Sequence, residues 1–420
     1  MTNSAPAEKS RHSALVVALL AVAVLINYVD RSNMSVAAPM LKVELGLSAS
    51  QLGWLLSAFF WTYTIMQLVV GWLVDNIGAG WVMAGGFLLW SLATSATGFA
   101  HGFAMLFAAR LVLGVGESVA VPAFSKILAQ TVPEARRGSA NSIVMAGLQT
   151  GPALGTFAGG LLMAKFGWRP FFVVLGLVSL VWIPVWLKWM PRERALAPAS
   201  KTQGPSLARM LRERSLWGAS LGQFCGNYVW YFLLTWLPYY LVHERGMSAA
   251  QMARVGGAAY LSTAACSLIF GQLTDRWIAS GLTTTQARKG ALAIGYTLTG
   301  TLLMLCVGAG PHLFIWLLCL AAAALGGGAF STFAVGQTIA GPQAAGKWVG
   351  MQNFIGNLGG VAPLVTGFVV QRTGHFFPAF VIAGVIGFLG AAFWVFVVGP
   401  VEPMDWDRRR GKHPAAHNLS

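Results

Sequence analysis

The feature that most limits what this chain can become is a series of apolar runs, each about as long as the 20 residues a helix needs to cross roughly 30 Å of hydrocarbon. Twelve can be placed, near residues 13–38, 51–74, 80–100, 103–130, 139–163, 168–189, 216–241, 252–274, 290–310, 312–340, 349–371 and 377–399. In lipid every backbone N–H and C=O must be satisfied within the protein, so runs of this length are helices. Composition agrees: only 10% of residues are charged, against about 25% in soluble domains. Lys9 and Arg11 precede the first run as in a secretory signal, but Asp30 and Arg31 fall before the small-residue stretch that could be cleaved, so an uncleaved first span is expected.

A net charge of +15 would suggest nucleic acid in a soluble protein. Here the basic residues gather in short connections between spans, where they set orientation, and no nucleic-acid partner is expected. The longest polar stretch, between spans six and seven, carries Arg192, Arg194, Lys201, Arg209, Arg212 and Arg214. It divides the chain into a first six-helix half (1–189), a basic linker (190–214) and a second six-helix half with a tail (215–420). With termini and linker on one side, that side holds 18 Lys and Arg against 6 on the other. The positive-inside rule places that side in the cytoplasm and the protein in a plasma membrane, the inner one of a bacterium.

The halves repeat. "GWLVDNIGAG" from Gly71 recurs as "GQLTDRWIASG" from Gly271, an offset of 200, and "LGVGES" from Leu113 as "LGGGAFS" from Leu325, an offset of 212. The fold class expected is an all-α membrane protein of twelve transmembrane helices in two pseudo-symmetric halves. Parallel six-span repeats are an architecture of secondary transporters, with the substrate near the midplane between them.

Four charges lie well inside spans: Asp30, Arg31, Arg110 and Glu117, all in the first half. At the offset of 212, Arg110 maps to Ala322 and Glu117 to Ala329. Helix packing would serve both halves alike, so the asymmetry favours function, the default for intramembrane charge. Asp30 and Arg31 are adjacent and point about 100° apart. By helix rise, Asp30 and Arg110 lie about 12 and 10 Å from the same membrane face, and an Asp30–Arg110 pair is expected. That leaves Arg31 facing a cavity and Glu117 alone, a proton carrier because burial disfavours its charge. Asn27 and Tyr28 share the face of Arg31, and an arginine with an amide and a phenol beside it suits a hydroxylated carboxylate. The further polar residues Tyr63, Gln67, Gln149, Tyr228, Asn353 and Asn357 are candidates for the substrate's hydroxyls, with packing between helices as the alternative for each. The four cysteines and seven histidines show no ligand spacing, so neither metal nor cofactor is expected beyond protons as coupling ion.

These motifs resemble the major facilitator superfamily and, within it, the anion:cation symporter family of bacterial D-galactonate and hexuronate proton symporters, sialin and vesicular glutamate transporters. "GWLVDNIGAG" is similar to the superfamily's loop motif, with Asp75 as its aspartate; Asp275 and Arg276 stand at the repeat and complete a gating set. "RLVLGVGE" from Arg110 and "NYVWYFLLTWLPYYL" from Asn227 resemble the family's fourth and seventh spans, and "INYVDRSNMSVAAP" its first. The resemblance implies that Arg31 binds a substrate carboxylate, that Tyr28 and Tyr63 line the site, that Asp30 and Glu117 take protons and that Arg110 couples them. Gln149 stands one residue from the family's glutamine, where Leu148 falls. The function expected is proton-coupled import of a small organic anion, a sugar acid such as a hexuronate or aldonate, by a monomer embedded in the lipid bilayer. The alternatives are an exporter of drugs or organic ions on the same fold and, more remotely, a membrane enzyme.

Overall fold

The computed structural model describes residues 4–191 and 205–406. Most of the expected linker, with Arg192, Arg194 and Lys201, and the chain beyond 406 lie outside the described residues. All regular structure among the described residues is helical. The spans are α1 (Ser4–Leu45), α2 (Ala49–Asn76), α3 (Ala79–Gly98), α4 (Phe103–Thr131), α5 (Glu134–Leu154, continued through a π turn at Gly155–Gly159 to Gly160–Phe166) and α6 (Trp168–Trp189). They continue as α7 (Arg214–His243), α8 (Ala249–Ala279), α9 (Thr284–Gly308), α10 (Pro311–Gly341), α11 (Gln343–Thr373) and α12 (Phe377–Val397).

Nine of these helices are long and apolar enough to cross a membrane on composition alone, and α2 makes ten when its bent halves are joined. The other two are α5, which opens on Arg136 and Arg137 and is interrupted by its π turn, and α7, rich in Trp and Tyr. Tyr and Trp carry a polar tip and lower a hydropathy average while still burying large rings. The twelve helices of the sequence reading are therefore all present.

Packing follows the repeat. In the first half α1 packs on α5, α2 on α4, α3 on α4 and α3 on α6; in the second α7 packs on α11, α8 on α10, α9 on α10 and α9 on α12. The halves meet through α1–α7, α2–α11 and α5–α8. Outward-facing Val174, Val178 and Val181 of α6, each more than half exposed, form a surface suited to lipid tails.

The turns reveal a closer repeat than those read from sequence. After α1 the chain reads "GLSASQ" from Gly46, and after α7 "GMSAAQ" from Gly246, an offset of 200. Both glycines turn the chain with a left-handed backbone, φ 63° and 65°, which costs a residue with a Cβ. Ser48 and Ser248 then cap α2 and α8 in capping boxes with Gln51 and Gln251, two orphan donors satisfied reciprocally at each start. The irregularities repeat too: α4 breaks after Glu117 and α10 after Ala329, an offset of 212.

At the end of the bundle away from the termini, here the distal end, the halves are drawn together. Lys42 Nζ donates to Tyr239 Oη at 2.6 Å, and the Ala49 amide donates to Gln371 Oε1 at 3.0 Å. Just below, α2 and α11 cross backbone to backbone: a Cβ on Gly53 would stand 2.9 Å from the Pro363 carbonyl oxygen. Small residues at such crossings let helices approach within packing distance where lipid offers no hydrophobic drive.

Candidate functional site

The first half holds a buried charged centre at mid-bundle. Arg31 Nε donates to Glu117 Oε2 at 2.7 Å, with the side chains 5% and 0% exposed. Three rings enclose the guanidinium: its Cζ lies 4.4 Å from the centroid of Tyr28, 4.9 Å from Phe59 and 4.5 Å from Tyr63. Local geometry explains each position. Tyr28 is three residues before Arg31, so both lie on one face of α1; Phe59 and Tyr63 are one turn apart on α2 and stack at 5.3 Å. Glu117 is the last residue before α4 breaks, where the Ser118 hydroxyl turns back to the Val115 carbonyl. Cation–π contacts contribute about 0.5–1 kcal/mol at exposed sites and about 2 where water is excluded, so the cage holds the guanidinium in one orientation.

This arrangement corrects the expected pairing. Arg31 does not face a cavity unpartnered; it takes Glu117, which is not alone. The Asp30–Arg110 ion pair is not formed. Among the described residues neither oxygen of buried Asp30 accepts a hydrogen bond, nor does Arg110 Nε donate one, although Thr94, Arg110 and Glu117 all face Asp30. Helix rise places two groups at one depth, but it does not fix the rotation of one helix against another. Arg110 instead lies against the Phe59 ring, at 5.2 Å, so that both arginines contact one ring. Asn27, expected beside Arg31, is buried next to Glu117.

The second half presents amides. Gln67 of α2 reaches across, its Oε1 accepting from Asn353 Nδ2 at 3.1 Å and from Asn357 Nδ2 at 3.4 Å. Tyr231 Oη donates to Asn357 Oδ1 at 2.8 Å, and Gln223 Nε2 donates to Asn353 Oδ1 at 3.2 Å. Gln352 extends the series, donating to Gln223 Oε1 at 2.9 Å while accepting from Trp348 Nε1 at 3.2 Å. Tyr231 also packs on Phe60 at 4.1 Å and faces Tyr28, Tyr63 and Arg31, which joins the amides to the arginine cage. Tyr228 is buried beside Gly359, one turn from Tyr231. The side chain of Gln149 lies outside the described residues.

Sequence reasoning left out Phe59 and gave Tyr231 and Gln223 no role in the site. A phenylalanine in an apolar span carries no signal of its own; its position four residues before Tyr63 was the one clue.

The expected gating residues sit at the proximal end. Asp75 Oδ1 accepts from Lys126 Nζ of α4 at 2.9 Å. Asp275 stands 3.9 Å from Arg288, and Arg276 is exposed. Among the described residues no group of His, Cys, Asp and Glu is arranged to hold a metal ion.

Known proteins share this organisation. The model of the family described as Major Facilitator Superfamily matches residues 20–363. The chain is 30% identical to the probable galactarate/D-glucarate transporter GarP of Escherichia coli (strain K12), over 93% of this chain and 96% of that one. It is 28% identical to the D-galactonate transporter of Escherichia coli O6:H1, over 94% and 98%. Among solved structures it superposes on a bacterial homologue of the human lysosomal transporter Spinster, in an inward-facing and occupied conformation, with a TM-score of 0.78 at 18% identity, covering 91% of this chain and 96% of that one.

Proposed function

This chain belongs to the Major Facilitator Superfamily and is a multi-pass membrane transporter, not an enzyme; from that premise we propose that it imports a sugar acid together with protons. The observation that carries the reading is the Arg31–Glu117 pair inside its aromatic cage. A guanidinium binds a carboxylate through two parallel bonds, so Arg31 is the anchor for the substrate's carboxylate. Glu117 already holds that anchor. With Glu117 ionised, a substrate carboxylate meets a second negative charge on one guanidinium; with Glu117 protonated, the guanidinium is released to it. Substrate and proton thus depend on one another at a single pair of side chains.

The amides opposite complete the reading. Asn353, Asn357, Gln67 and Tyr231 already exchange hydrogen bonds, and a polyhydroxylated chain offers the same donors and acceptors in return. Relatives named for galactarate, D-glucarate and D-galactonate support a sugar acid. Asp30 is a second proton acceptor, buried among Thr94, Arg110 and Glu117. The basic proximal side faces the cytoplasm by the positive-inside rule, and the closed distal end supports an inward-facing state. Moving one negative charge inward against the membrane potential costs about 2.3 kcal/mol per 100 mV; two protons would reverse that sign.

The test is uptake of labelled D-galactonate and D-glucarate into proteoliposomes under an imposed pH gradient, acid on the distal face. Accumulation that collapses with a protonophore supports the assignment. Preference for lipophilic cations over both acids would overturn it in favour of an exporter.

A further inference from the structure

The distal end holds a second cationic position that the central site does not use. Lys42 lies 11 residues after Arg31, about three turns, so the two share a face of α1 some 16 Å apart along the axis. Between them on that face stand Ser35 and Ala38, both small and both 1% exposed. Both are covered in this structure, so the stretch of α1 between the two cations is packed, and its small residues give room only once the halves part.

Lys42 lines a cavity of about 560 Å³ between the halves, with Ser48, Tyr239, His243, Glu244 and Gln371 among its walls, a size within the roughly 300–1,000 Å³ of small-molecule sites. Its ammonium donates to the neutral Tyr239 hydroxyl and lies 5.2 Å from that ring's centroid. Among the described residues no carboxylate comes within ion-pair distance of it. Glu244, the one carboxylate of the lining, accepts the Phe376 amide at 2.9 Å. His243 packs at a tilt against the same Tyr239 ring, 4.9 Å between centroids. The cavity therefore presents a cation held by a neutral group and flanked by the Ser48 hydroxyl and the Gln371 amide, with one carboxylate, Glu244, engaged at the Phe376 amide.

We propose that Lys42 is a carboxylate-recruiting site, where an incoming organic anion first binds before it descends the face of α1 to Arg31. The inference rests on the reading of this chain as a sugar-acid importer. When the distal end opens, the Lys42–Tyr239 bond parts and the ammonium is free for a substrate carboxylate. When it closes, Tyr239 takes the ammonium back, which releases the anion inward and shuts the entrance behind it. A local charge at a mouth raises the concentration of oppositely charged ligand there and makes entry sensitive to salt.

The experiment measures initial uptake of D-galactonate into vesicles with the distal face outward, at low and high ionic strength. Lys42→Ala and Lys42→Gln should raise KM about five- to tenfold, leave kcat within about twofold and flatten the salt dependence of kcat/KM. Lys42→Arg should retain the wild-type KM. Tyr239→Phe, which frees the ammonium without removing it, should leave KM unchanged or lower it. If Lys42→Gln and Tyr239→Phe alter kcat equally and leave KM as it was, the lysine is a latch only and the recruiting site is refuted. A wild-type protein that takes up neither D-galactonate nor D-glucarate would instead defeat the importer reading on which the site rests.

Discussion

In the first half α4 breaks after Glu117, and in the second α10 breaks at the equivalent point after Ala329; one break presents a carboxylate to Arg31, the other presents a methyl group. The same contrast holds at Arg110 and Ala322. The two halves share turns, caps and helix irregularities, yet one carries charge in its centre and the other carries amides. Shared backbone features build the bundle, while the side chains that differ set the two halves apart: the first holds the buried charges, to which the proposed function assigns the protons, and the second holds a network of neutral amides. A symmetric scaffold can rock about a fixed centre and still give its two walls different tasks.

The division is broken most severely at Arg31. Removing one partner of a buried pair leaves the other charge uncompensated, at a cost of about 3–5 kcal/mol. Arg31→Ala is expected to weaken D-galactonate binding by more than about a hundredfold, read by titration calorimetry on purified protein. Retained binding in that variant would move the anchor to another residue.

The amide wall should answer more gently. Asn353→Ala and Asn357→Ala each remove neutral hydrogen bonds of about 0.5–1.5 kcal/mol, so binding should fall about three- to tenfold with its pH dependence intact. Loss of proton coupling in either variant would contradict the division between halves. A change in preference between D-galactonate and D-glucarate, without loss of coupling, would sharpen it.

The smallest effects belong to the repeated aspartates. Asp75 pairs with Lys126 at 2.9 Å and Asp275 with Arg288 at 3.9 Å, with both carboxylates about three-quarters exposed. Exposed pairs contribute about 0.2–1 kcal/mol. Asp75→Asn should therefore lower the melting temperature slightly and Asp275→Asn leave it unchanged, as followed by thermal shift in detergent.

Spans were legible in the sequence because lipid imposes a length and a polarity that few residues can violate. The four buried charges were legible for the same reason, since each stands out against its run. Their partners were not. Depth follows from counting residues along a helix, which suggested Asp30 with Arg110; rotation between helices follows from packing, which turned Arg31 of α1 toward Glu117 of α4. Gly46 and Gly246, with their matched capping boxes, were overlooked because a turn of six residues is brief beside a span of 20. Phe59 was invisible for a different reason: a phenylalanine among apolar residues reveals its role only once two arginines are seen in contact with it.

The central claim is that one proton on Glu117 releases Arg31 for the substrate. It is tested most directly by the Kd for D-galactonate between pH 5 and pH 9 in the wild type and in Glu117→Gln. A protonated Glu117 favours binding, so wild-type affinity should weaken as pH rises, approaching a limit of about tenfold per pH unit once Glu117 is ionised. Glu117→Gln, which cannot ionise, should bind with a much shallower dependence at the alkaline end. Equal slopes in the two proteins would contradict the account and place the coupling proton elsewhere.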